Sequence, residues 1–470
     1  MSEYRLPPRP ERPGLAVAAL VGVTVVSALG MSIPNVAMPL ISDAFGVSVS
    51  ATQWVSLSFL LASSLLMVPV GRLADSVGRI KVLLAGVAVF TLVSLLAGFA
   101  TNLPLLATAR AVMGIGGAAM TTLPVALVRQ TVPMGRIGRT MGLIGSSMAF
   151  GWALGPAAGG MLAAAVGWRW VFFVLVPLGA GVLLLAARAL PMRQGGTGLP
   201  LQTDWLGLGI LAVALVSYAV GLTLRPFGLI GTITLVGVGL AALALFVVVE
   251  LRIAAPLVDF RLLSRVRVYP GLITAFLAST IMMSFTVIPP FYLARGLELD
   301  AAHVGLAMAA GPTVSIMSGV PAGRLVERFG ARPIFIAGLS LLTLASVGFT
   351  VLPPALGLAG FLLCAVSLTP GNQMFMAANN TNVMARSGLE HQGAVSGVLN
   401  LARNLGSITG MAVAAALFDA AADRVPGPWG ATVGLRVSFA VAAAMGLTGL
   451  LVAVLSDRSP QPKGLPGHSE

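Results

Sequence analysis

Stretches of about 20 mostly apolar residues, broken by short polar or basic segments, recur along nearly the whole chain. A helix of that length crosses the ~30 Å hydrocarbon layer of a bilayer, and no soluble core has room for so many of them. The charge content agrees. Charged residues make up 9% of the 470 positions, against about 25% in a typical soluble domain. A single soluble core is excluded, and so is disorder. The 56 glycines show no period of three, which excludes a collagen-like chain.

The apolar runs fall at about 14–40, 53–73, 82–101, 104–128, 138–164, 168–189, 204–224, 227–250, 269–294, 301–322, 333–353, 356–379, 393–418 and 432–456. They predict an all-α polytopic membrane protein with fourteen transmembrane helices. The first run follows Arg5, Arg9 and Arg12 as a signal peptide's apolar region would. It is too long for one, and further spans follow at once, so it reads as an uncleaved first span. With the N-terminus in the cytoplasm and sides alternating, the basic clusters 72–81, 129–139, 252–267 and 324–332 share one side. Arg169, Arg225, Arg295, Arg424 and Arg436 take the other, while Arg110 and Arg403 lie within spans. This bias predicts cytoplasmic termini. The net charge of +13 therefore reads as membrane topology. Its clusters lack interleaved aromatics and a basic helix face, so no nucleic-acid partner is expected.

Gly71-Arg-Leu-Ala-Asp75-Ser-Val-Gly78-Arg79 recurs loosely as Gly323-Arg324-Leu-Val-Glu327-Arg-Phe-Gly330-Ala-Arg332, each between two spans. The repeat predicts two six-span halves around a central cavity, with two extra spans between them. The expected divisions are a cytoplasmic tail 1–13, a first bundle 14–190, linkers and two extra helices 191–268, a second bundle 269–456 and a cytoplasmic tail 457–470.

With these motifs the chain resembles the major facilitator superfamily, and within it the fourteen-span drug:proton antiporters of the multidrug efflux type. The resemblance covers about 14–457 and implies the major facilitator fold, six plus two plus six, in the inner membrane. It implies that Gly71, Asp75, Gly78 and Arg79, with Gly323, Arg324 and Glu327, form a latch whose charge pairs exist in one access state only. It assigns Arg110 to proton coupling, although an arginine held by backbone carbonyls is the structural alternative. Met113 stands where the family has glutamine. Gly151-Trp-Ala-Leu-Gly155-Pro156-Ala-Ala-Gly159-Gly160 matches the antiporter motif, whose glycines four apart admit a neighbouring helix, and this string implies export. Asn35-Val-Ala-Met-Pro39 matches the end of the family's first span, but Gly30 stands where an acidic residue is usual.

None of the 15 acidic residues lies in mid-span. Arginine keeps its proton, so a proton-coupled carrier of this sequence must titrate a carboxylate near a span end. Asp75 comes first and Asp43 second, Asp43 reading more simply as a solvated loop residue. The same lack favours neutral or anionic amphiphiles over dications. Asn35, Trp152, Met283, Phe285, Tyr292, Asn372, Gln373, Phe375, Asn400 and Arg403, with Met113, are the cavity candidates. Methionine and aromatic side chains give an adaptable apolar surface and the amides orient a ligand; plain helix packing is the alternative for each. Cys364 is the single cysteine, and His303, His391 and His468 stand apart, so neither a disulfide nor a metal site is expected. With no paired carboxylates or nucleophilic triad at a membrane face, the expectation is a transporter rather than an enzyme. It needs no cofactor beyond a proton gradient, and its partners are protons, lipid and an amphipathic small molecule. The resemblance implies a monomer. A facilitator without proton coupling and a dedicated metabolite exporter are the other readings.

Overall fold

In hydrocarbon a peptide group has no water to bond, so every N–H and C=O must be satisfied within the segment. Helix is the local solution, and it is the one found. A computed structural model describes residues 13–132, 137–190, 204–223, 228–253, 268–387, 392–422, 424–425 and 427–456. The tails and most of the linkers at 191–203 and 254–267 lie outside the described residues, as do His391 and His468.

Thirteen long helices carry the fold: α1 Pro13–Val36, α2 Trp54–Val77, α3 Arg79–Gly98, α4 Leu103–Thr131, α5 Ile137–Val166, α6 Leu175–Ala189, α7 Trp205–Thr223, α8 Gly228–Glu250, α9 Tyr269–Val287, α10 Ala301–Phe329, α11 Ala331–Ser387, α12 Gln392–Ala422 and α13 Pro428–Leu455. Among the described residues, thirteen helical segments are long and apolar enough to cross a membrane. The expected runs 333–353 and 356–379 fall together on α11, which has 57 residues. Straight, that helix would be about 86 Å long, nearly three bilayer cores. It is instead a hairpin. Gly357 adopts φ 57° and ψ −130°, and the two limbs meet symmetrically about it. Gly338 lies against the Phe375 backbone, Gly371 against Leu342, and Gly348 against Cys364. Divided at Gly357, the thirteen segments become fourteen candidate spans.

Helix ends are fixed locally. Asn102 and Asp300 accept from the backbone N–H groups of Leu105 and His303, both at 2.9 Å. The His303 N–H, then its ring, hold the Asp300 carboxyl below the usual carboxylate range. Gly78 and Gly330, 252 positions apart as in the sequence repeat, both have positive φ, 119° and 85°. Each separates two helices, α2 from α3 and α10 from α11, at a conformation that an L side chain rarely adopts.

The buried apolar side chains form two large clusters. One draws on residues between Ala16 and Leu190. The other lies mainly between Val268 and Ala442 and takes in Val36, Leu57, Leu215 and Ala219. Helices α7 and α8 pack chiefly on each other, with Gly221 against Leu235 and Gly239 against Tyr218. They are tied to the rest by Trp54 Nε1 donating to Thr223 Oγ1 at 2.9 Å and by Tyr218 and Thr409 hydroxyls 3.0 Å apart.

Gly357→Ala should destabilise the α11 hairpin by about 1–2 kcal/mol through its backbone conformation alone. A lower midpoint of denaturation in detergent checks this; an unchanged midpoint would mean the turn tolerates a side chain.

Candidate functional site

Where the two clusters meet, Met31 and Asn35 of α1, Ser56, Phe59 and Leu60 of α2, Arg110 of α4 and Trp152 of α5 face Met283 and Thr286 of α9 and Met411 of α12. The cavity they enclose is about 20 Å³, room for roughly one water. A drug-sized ligand needs about 300 Å³ or more, so these walls must part to admit one. The polar groups are ordered: Ser56 Oγ donates to Asn35 Oδ1 at 2.7 Å, and Asn35 Nδ2 donates to the Met31 carbonyl at 3.2 Å.

Arg110 is the largest wholly buried side chain. Its Nε donates to the Val55 carbonyl at 2.7 Å and a terminal nitrogen donates to the Gly30 carbonyl at 2.9 Å. The guanidinium lies 4.5 Å from the centre of the Phe59 ring, a cation–π contact. Both carbonyls belong to helices: that of Val55 takes the arginine as a second donor, whereas that of Gly30 has no i+4 donor, because residue 34 is proline. The acceptor at Gly30 is thus the backbone of the position at which the resembled family carries an acid. A side chain there has no space, because a Cβ on Gly30 would overlap the buried Phe90 ring.

The Gly151–Gly160 string acts in two directions. Gly151, Gly155 and Gly159 lie against α1 at Ala28, Ser32 and Ile33. Ser32 Oγ donates to the Gly151 carbonyl at 3.1 Å. Gly160 faces the opposite cluster, where its neighbours are the Ala301 carbonyl and Gly305, and Gly305 in turn meets the Pro156 carbonyl. Close approach of α5 and α10 therefore occurs near this end. Further along, Gly142, Gly145 and Gly323 have nothing within 4 Å of a built Cβ.

The same end carries two polar clamps between the clusters. Arg295 donates to Asp43 at 2.7 Å and to Ser42 Oγ at 3.0 Å, and stacks over Phe291. Asp43 is exposed, as a solvated loop residue would be, and is also half of this ion pair. Asp419 of α12 accepts from the backbone of Val49 at 3.2 Å, from the backbone of Ser50 at 2.8 Å and from the Ser50 hydroxyl at 2.6 Å. At the other end Asp75 pairs with Arg79 across the Gly78 turn at 2.9 Å. Gly71 has open space beside it, and Arg324 and Glu327 are exposed.

Of the cavity candidates read from the sequence, Asn35, Trp152 and Met283 line the central cavity. Met113 is buried within the first cluster, its Sδ 3.9 Å from Ser94 Oγ. Phe285 packs with Phe349 and Phe361, and Phe375 with Phe335, inside the second. Tyr292 donates to the Pro353 carbonyl at 3.0 Å, and Gln373 to the Ser315 carbonyl at 3.2 Å. Asn372 is half-buried beside Gln373, and Asn400 is exposed. Arg403 donates to Asn380 Oδ1. Sequence reading missed Ser56, Phe59, Thr286 and Met411. Spacing alone could have flagged Thr286, one turn from Met283 on α9, and Ser56 and Phe59, one turn apart on α2.

A family model described as Major Facilitator Superfamily matches residues 20–411 and 271–470. The chain is similar to the uncharacterized transporter YebQ of Escherichia coli, 27% identical over 460 residues and 97% of each chain. It is similar to the multidrug efflux pump LfrA of Mycolicibacterium smegmatis, 27% identical over 412 residues, 87% of this chain and 82% of that one. With the riboflavin transporter RibZ of Clostridioides difficile it shares 26% identity over 397 residues, 84% and 85% of the two chains. Among solved structures, a bacterial homolog of the lysosomal transporter Spinster aligns with a TM-score of 0.66 and 15% identity, over 95% of this chain and 97% of that chain. A mutant of the peptide transporter POT aligns with a TM-score of 0.72 and 15% identity, over 94% and 95%. At that identity the likeness is one of fold.

Arg110→Ala leaves the buried Gly30 carbonyl, whose i+4 residue is Pro34, short of a donor at about 1–3 kcal/mol, and leaves the space of a wholly buried side chain empty. Loss of the monodisperse folded protein is the expected result, seen by size-exclusion chromatography; a well-folded variant would mean the guanidinium holds nothing. Gly30→Asp alone should also fail to fold, and pairing it with Phe90→Ala should restore folded yield. If the single variant folds as well as the wild type, the steric argument at Gly30 is wrong.

Proposed function

Because this chain belongs to the major facilitator superfamily, a family of membrane transporters rather than enzymes, we propose that it exports amphipathic small molecules, drugs among them, across the inner membrane by proton antiport. The observation that carries this reading is the central cavity lined from both clusters, with two polar clamps between the clusters at the end of Asp43 and Asp419. In this reading the chain is of the fourteen-span type, six plus two plus six, and works as a monomer with both termini cytoplasmic. The clamped end is then the outer one, and the conformation faces the cytoplasm.

Substrate enters from the cytoplasmic side between α2, α5, α10 and α12 and parts the methionine-rich walls. Movement to the outward-facing state separates Asp43 from Arg295 and Asp419 from Ser50, and lifts Gly160 from Gly305. On the cytoplasmic side the Gly71–Arg79 and Gly323–Glu327 loops then approach and act as the latch. Arg110 keeps its proton throughout. It takes part in coupling as a fixed charge and as the pin between α1, α2 and α4. The titrating group is a carboxylate at a span end, with Asp75 first. The multidrug efflux pump among the relatives supports the substrate class, and the antiporter-type glycine string supports export. A proton-independent facilitator is the second reading, favoured by the absence of a mid-span carboxylate.

Everted membrane vesicles under an imposed proton gradient test this. Uptake of a neutral or an anionic fluorescent dye should follow the gradient, vanish with nigericin and lose its gradient dependence in Asp75→Asn. Uptake indifferent to the gradient would leave the facilitator.

A further inference from the structure

The two arginines that lie within spans are held in opposite ways. Arg110 is sealed by two carbonyls and a phenyl ring. Arg403 is only half-buried, and its recorded partner is a neutral amide, Asn380 Oδ1. Its Nε is buried with no hydrogen-bond partner. Among the described residues no carboxylate lies within ion-pair distance of it. A guanidinium carries five N–H donors, so most of this one's capacity is unused.

Its place on α12 is informative. Arg403 stands eleven residues into the helix, about 16 Å along the axis. Gly406 and Gly410 press against the α9 backbone at Phe276 and Thr280. Leu405 and Thr409 turn towards α7. Arg403 lies seven residues before Gly410 and eight before Met411, which lines the central cavity, so it stands between the face packed on α9 and the side of Met411, with Ser407 one turn after it and exposed Asn400 one turn before it. A cation at this depth is costly unless it faces a partner or a wet passage. Here no anion pairs with it among the described residues, and Met411 of the central cavity stands two turns further along the helix.

We propose that Arg403 and Asn380 form an oxyanion subsite on the approach to the central cavity, and that the substrates are amphiphiles bearing a carboxylate or phosphate group. The planar fork of arginine matches such a group with two parallel charge-assisted bonds. Asn380, whose Oδ1 is taken by Arg403, adds its N–H₂ donors beside it. This inference rests on the transport reading for the word substrate, but the binding it asserts does not need a gradient.

The test is equilibrium binding to the purified full chain in detergent micelles, using a dansyl-labelled fatty acid and its methyl ester. The wild type should bind the acid at least tenfold more tightly than the ester, about 1.4 kcal/mol. Arg403→Gln should abolish that preference and Arg403→Lys should keep part of it. Asn380→Asp sets a carboxylate against Arg403 from within and should abolish the preference too, which decides the matter if Arg403→Gln fails to fold. No preference in the wild type, or a preference that survives both changes, overturns the subsite. Displacement of the acid by added phosphatidylglycerol assigns the site to a lipid headgroup and overturns the substrate class. A tenfold preference beside gradient-indifferent vesicle uptake keeps the subsite and removes only the antiport.

Discussion

A single cation buried without a counter-ion organises the first half of this protein. Among the described residues no carboxylate pairs with Arg110, and its donors go to the backbones of two other helices, at Gly30 and Val55. Hydrogen bonds to a charged group are worth about 1.5–3 kcal/mol, and here their partners are backbone atoms that no side-chain substitution can remove. The register of α1, α2 and α4 is thereby fixed at one level. Phe59 covers the guanidinium, and Phe90 fills the space beside Gly30. The ring and the missing side chain depend on each other, because a residue larger than glycine at position 30 displaces Phe90, and removing Phe90 opens a void.

This explains what the sequence could and could not tell. Span count and basic asymmetry follow from the cost of charge and open backbone in hydrocarbon, and such costs are visible residue by residue. The repeat was visible too, and Gly78 and Gly330 show its physical content as matching backbone turns. Arg110 stood out as an arginine within a span, but its partners did not, since a carbonyl is present at every position. The glycine string declared a close approach without saying to what. Gly160 turns out to face the opposite cluster whereas Gly151, Gly155 and Gly159 face α1. Met113, Phe285 and Phe375 are residue types suited to either a cavity or a core, and composition has no means to choose between the two. The α11 hairpin was legible as two runs divided at 354–355, although the turn itself falls at Gly357, just inside the second run.

At one end the two clusters are joined by a few discrete contacts of unequal strength. Asp43–Arg295 is largely exposed, and exposed ion pairs are worth about 0–1 kcal/mol. Asp419 does more, since it takes three donors from the Val49–Ser50 turn and so caps a short helix from across the interface. Tight Gly160–Gly305 packing adds dispersion that disappears on a small separation. None of these is a continuous hydrophobic seam. They form or break together as the helices approach or part.

A carrier that alternates must keep its two conformations within a few kcal/mol of each other, so whatever closes an end has to be offset. The offset is present at the clamp itself. Gln53 lies three residues from Ser50, is wholly buried, and has neither amide atom hydrogen-bonded. A buried polar group left without a partner costs about 1–3 kcal/mol, comparable to what Asp419 supplies by accepting from Ser50. Water reaching that turn on opening would satisfy the amide as the Asp419 bonds are lost. In the transport reading proposed above, the turn at 48–53 holds both the Asp419 bonds that favour closure and a buried Gln53 amide that weighs against it.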